Sequence, residues 1–72
     1  RKIAAAIQVC HDLNDDNEER EIGGLLEAMK EFSLAEGTII TTGQEDERQI
    51  GGRTVFIRPA WKWLLEGEDR LR

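Results

Sequence analysis

The 72-residue chain has one cysteine, one histidine, one proline and no tyrosine. A single cysteine excludes an intramolecular disulfide. Cys10 and His11 are too few for a zinc site, which takes three or four ligands. As neighbours on a strand they would also point to opposite faces, which disfavours a Cys/His nucleophile pair. Cys10 therefore reads as a small buried hydrophobe, and His11 as a surface residue at a strand end. No apolar run approaches the roughly 18 residues of a membrane span. Signal-peptide and lipidation patterns are absent too, so a reducing, cytoplasmic setting without a membrane partner is expected. Phosphate-binding loops are missing: "IGGRTV" lacks the spacing and the lysine of GxxxxGK(S/T), and there is no GxGxxG. The chain is not expected to bind ATP or another cofactor by itself. A calcium loop fails as well. Asp12, Asn14 and Asp16 take its first, third and fifth positions, but Asn17 stands where glycine is needed and Gly23 where the bidentate glutamate is needed.

Acids outnumber bases, for a net charge of −5, which argues against general affinity for phosphate backbones. The average conceals a split. Residues 1–47 carry 12 acids and 4 bases, a balance of −8, and residues 48–72 carry 3 acids and 6 bases, a balance of +3. A nucleic-acid contact, if one exists, is expected around Arg48, Arg53, Arg58 and Lys62; the competing reading is a solvated surface of uneven charge. Trp61 and Trp63 flank Lys62 and could stack on bases. In a chain this short they are expected to be core, packing over a sheet to close the domain.

One small domain is expected over residues 1–72, with a marginal core. The chain starts at Arg1 without methionine and ends in "EDRLR", which reads as a C-terminal piece of a longer protein with edges that a homodimer would cover. From Ile3 the side chains alternate, with Ile3, Ala5, Ile7 and Val9 on a bulky face and Ala4, Ala6, Gln8 and Cys10 on a small one. The alanines, and Ile3 with Ile7 at i and i+4, also suit a helix. The short run, its Ile and Val, and the polar turn "HDLNDDN" favour a strand. Asp15, Asp16 and Asn17 offer helix caps, with Glu18 or Glu19 completing a capping box. Ile22, Leu25, Leu26, Met29 and Phe32 then form one apolar stripe, and Gly37 fits a helix stop. Gly23 and Gly24 lie off that stripe, where each costs about 1 kcal/mol relative to alanine. Either another backbone approaches there or a surface helix tolerates them. "TIITT", residues 38–42, reads as a second strand, parallel to the first through a right-handed crossover. Gly51-Gly52 joins hairpin arms at residues 45–50 and 53–58, Pro59 ends the second arm, and "AWKWLLEGE" closes the chain as a short helix. The fold class is α/β: a βαβ unit, a β-hairpin and a short C-terminal helix.

"IAAAIQVCHDL", "EEREIGGLLEAMKEF", "EGTIITT" and "GGRTVFIRPAWKWLL" together, over residues 2–65, resemble the C-terminal domain of archaeal and bacterial AAA+-type predicted ATPases, an uncharacterised family. The resemblance implies a partial restriction-endonuclease-like, PD-(D/E)XK fold. Active members hold a divalent metal and its attacking water with an Asp on one strand and (D/E)-x-K on the next, because Mg²⁺ prefers hard oxygen ligands and the lysine steadies charge. Here Gln8-Val9-Cys10 takes the (D/E)-x-K slot, without a carboxylate or a cation, and the Asp-bearing strand would lie upstream of Arg1. The resemblance thus implies a degenerate motif at Gln8 and Cys10 with no catalytic or metal-binding residue in this chain. ATP and Mg²⁺ would be confined to a parent protein, whose upstream ATPase domain would be a partner in the same chain. The expected role is interaction or regulation, with DNA binding through the basic last third as the alternative.

Overall fold

The computed structural model describes residues 5–70, so the expected strand residues Ile3 and Ala4 lie outside it. The elements are β1 (Ala6–Val9), α1 (Glu18–Glu31), β2 (Glu36–Thr41), β3 (Asp46–Ile50), β4 (Arg53–Pro59) and α2 (Ala60–Arg70). They form a mixed α/β unit with one four-stranded sheet in the order β1-β2-β4-β3. β1, β2 and β4 are parallel, with Gln8 beside Ile39 and Ile39 beside Ile57, and β3 returns antiparallel on β4. The parallel pair of the βαβ unit and the hairpin therefore form as expected. Gly51 and Gly52 have φ of 56° and 82°, the left-handed pair that a two-residue hairpin turn requires and that glycine adopts without steric cost.

α1 packs on β1 and β2. Its Leu25 and Met29 meet Ile39, Val55 and Ile57 in a core where each of these five side chains is at most 2% exposed. Burying side chains of this size stabilises the fold by about 1.5–3 kcal/mol apiece. Phe32, expected on the same stripe, is 46% exposed because it caps the helix.

Both ends of α1 differ from expectation. At the start, Asn17 is the N-cap but makes no side-chain cap bond. The turn is organised by Asn14, whose Oδ1 accepts from the backbone N–H groups of Asp16 and Asn17 and whose carbonyl accepts from Glu18 at 2.8 Å. Asn side chains bond local backbone readily, and here they do so ahead of the helix. At the other end the helix stops at Ser33, with φ 56°. Leu34 N–H donates to Met29 O at 2.7 Å and Ser33 N–H to Lys30 O at 3.3 Å, a Schellman closure with Leu34 packed against the core. Gly37 is not the stop. It is buried in β2, where an added Cβ would lie 2.7 Å from Met29 Sδ and 3.2 Å from Leu25, so its lack of a side chain lets the helix settle on the sheet.

Candidate functional site

The strand alternation of β1 places Ala6, Gln8 and Cys10 beneath α1 and Ile7 and Val9 on the opposite face. Ala6 and Cys10 are buried, whereas Ile7 and Val9 are 48% and 75% exposed. Gln8 donates through Nε2 to Glu21 of α1. Cys10 Sγ lies 3.5 Å from Asp12 O and 3.9 Å from Asn17 Nδ2, within the polar turn. The two motif positions therefore share a face, as their spacing requires, but a helix covers it. A magnesium ion does not fit this donor set: one neutral amide, one half-buried carboxylate and one thiol give too few hard oxygens. Among the described residues no three His, Cys, Asp or Glu side chains converge as metal ligands.

Beyond the C-terminal ends of β1 and β2 the two following loops are stitched together. Gln44 accepts from Leu13 N–H at 2.7 Å through Oε1 and donates to Leu13 O at 2.6 Å through Nε2. Thr41 Oγ1 donates to Gln44 O at 2.9 Å and accepts from Gln44 N–H at 3.0 Å. Thr42 Oγ1 lies 2.8 Å from Nδ1 of the exposed His11 and donates to its carbonyl at 2.9 Å. Local pattern carries no sign of the ties from Gln44 to Leu13 and from Thr42 to His11, because each joins residues 31 apart in the chain.

Arg48, Arg53, Arg58 and Lys62 do not form one patch. Arg48 pairs with Asp46 and, at 3.0 Å, with Glu18. Its guanidinium, helped by the Glu47 backbone N–H, holds the Asp46 carboxyl below the usual carboxylate range, and Asp46 and then Glu18 raise Arg48 in return. Arg53 donates from Nε to Leu34 O at 3.2 Å. Arg58 lies over the Phe56 ring at 4.7 Å and reaches Glu45 at 3.8 Å, where Lys62 also pairs. In β4, Arg53 shares the face of Val55 and Ile57, and Arg58 the opposite one. Acids line the hollows nearby. One of about 290 Å³ is bounded by Glu18, Glu45, Asp46 and Arg48, and one of about 480 Å³ by Asp15, Glu18 and Glu19 with Ile22, Leu26 and Ile50. Neither suits a phosphate.

Trp61 is 61% exposed and so is not part of the core as expected, whereas Trp63 is half-buried. α2 packs along β4 and β2, leaving Leu64 and Leu65 also exposed. No helix of the described residues is long and apolar enough to cross a membrane.

No family model matches the chain, and no solved structure matches it. Over 65 residues it is 38% identical to an uncharacterised protein of Methanocaldococcus jannaschii, in a match that takes in 82% of this chain. The chain spans only about 15% of that relative's length.

Proposed function

We propose that the chain is a non-catalytic, nuclease-like accessory domain of an ATP-binding protein, serving in interaction or regulation. The observation that carries this reading is the covered face at Gln8 and Cys10. The positions that the nuclease resemblance makes catalytic are packed under α1, with Gln8 bonded to Glu21 and Cys10 buried. A hydrolytic site needs an open, hydrated metal, and packing of this kind suits a strand that serves the fold. The length of the relative agrees with a module carried by a larger chain. Incubation of the chain with DNA or RNA and Mg²⁺ is expected to give no cleavage. Mg²⁺-dependent turnover that Gln8→Ala abolishes would overturn the proposal.

DNA binding through Arg48, Arg53, Arg58 and Lys62 is the weaker reading, since each base already has an acidic or carbonyl partner. Salt-dependent DNA binding lost in an Arg53→Glu, Arg58→Glu variant would reinstate it. No binding at about 50 mM salt is the expected result.

A further inference from the structure

α1 covers the β1-β2 half of the sheet, and the flank it turns toward β3 borders the hollow of about 480 Å³. The floor of that hollow is apolar. Ile22 is buried, Leu26 half-buried and Ile50 36% exposed. Gly23 opens the helix wall, since a Cβ added there would meet nothing within 4 Å. Glycine weakens a helix interior, and no neighbour among the described residues requires it at this position.

Asp15, Glu18 and Glu19 stand over the same hollow. Glu18 is shared with Arg48, which Asp46 also holds. Among the described residues Asp15 and Glu19 have no basic partner. The start of α1 adds about half a positive charge, which the three carboxylates outweigh. Lys30, the next cation on this side of the helix, lies roughly 16 Å along the axis from Glu19. The hollow therefore joins an apolar floor to a rim of negative charge, the division between core and edge that protein interfaces show.

We propose that this hollow docks a basic segment of a protein partner. An apolar side chain of the segment enters between Ile22, Leu26 and Ile50, over Gly23, and a neighbouring lysine or arginine meets Asp15 and Glu19. Charge complementarity fixes the class of occupant. A nucleic acid or an anionic lipid surface would bring phosphates against the carboxylates. Extension of the sheet at β3 is discouraged by Asp46, Glu47 and Arg48 on that edge, so the segment lies in the hollow and adds no strand. β2 and β4 separate the site from β1. α2 is held on the opposite sheet face, where its Lys62 shares Glu45 with Arg58.

This proposal rests on the reading of the chain as an interaction module and names the chemistry of its partner. Fluorescence anisotropy of the 72-residue chain with a labelled peptide of leucine and lysine, about 12 residues long, is expected to show binding. Peptides of leucine with glutamate and of serine with lysine should bind at least about tenfold more weakly. Gly23→Leu fills the hollow without a clash, and Asp15→Asn with Glu19→Gln strips its rim. Each is expected to weaken binding of the leucine-lysine peptide at least about tenfold with an unchanged circular dichroism spectrum. Glu31→Gln with Glu36→Gln removes as much charge from exposed sites outside the hollow and should leave binding as it was. No binding at about 0.1 mM protein, equal binding of the serine-lysine peptide, survival of binding in Gly23→Leu, or an equal loss in the Glu31, Glu36 variant overturns the proposal. Self-association that the Asp15, Glu19 variant abolishes would make a second copy the occupant and overturn it too. Failure of peptide binding would leave the accessory role standing, whereas Mg²⁺-dependent cleavage would remove that role and leave peptide binding intact.

Discussion

Gly37 and Ser33 exchange the roles that their residue types suggest. Glycine stops helices because it enters the left-handed region freely, yet here Ser33 takes that conformation at φ 56° and Gly37 serves as a contact point for Met29 and Leu25. A side chain at position 37 would press on residues that are 0% and 2% exposed. Gly37→Val is therefore expected to destabilise the fold by about 1–3 kcal/mol, read from the urea midpoint. Ser33→Gly removes the left-handed penalty and should raise stability by up to about 1 kcal/mol in the same assay. Local preference alone assigns the helix stop to Gly37. Only the three-dimensional neighbours separate a glycine needed for its backbone freedom from one needed for its missing Cβ.

Among the elements, α1 and the hairpin were the most legible. The stripe Ile22, Leu25, Leu26 and Met29 repeats at helical spacing, and Gly51-Gly52 is a local turn code. The start of α1 was less so, because Asn14, Asp15, Asp16 and Asn17 compete for the same backbone donors and Asn14 Oδ1 takes two of them. The loops after β1 and β2 were illegible as a pair. Gln44 joins them by two bonds to Leu13, whose side chain is 6% exposed. Gln44→Ala strands that donor and acceptor and is expected to cost about 1–3 kcal/mol. Amide exchange at Leu13 should accelerate accordingly; unchanged protection there would show the tether to be dispensable.

The whole molecule balances a helix-covered sheet face against a second face only partly occupied. Gln8 and Cys10 fall on the covered one, which turns a catalytic-looking spacing into a packing feature. Charge acts at this scale too. The folded state holds the Asp46 carboxyl below its ordinary value through Arg48, so its contribution is present above the unfolded value and is lost as pH falls through the folded one. Because Asp46 is exposed, the effect is small and screened by salt. Thermal melts from about pH 7 to pH 3 should fall more steeply for the native chain than for Asp46→Asn, with the gap narrowing as salt is added. Identical acid limbs would show that the Arg48 pair carries no stability.

By itself the sequence determined the α/β class, the order of the elements, the stripe of α1, the hairpin turn and the shared face of Gln8 and Cys10. These follow from periodicity and turn chemistry, which act over a few residues. Tertiary structure alone decided the strand order β1-β2-β4-β3, the burial of the small face of β1, the separate pairing of Arg48, Arg53, Arg58 and Lys62 with acidic or carbonyl partners, and the true stop of α1. Each of those depends on groups far apart in the chain, and their free energy exists only once helix and sheet have met.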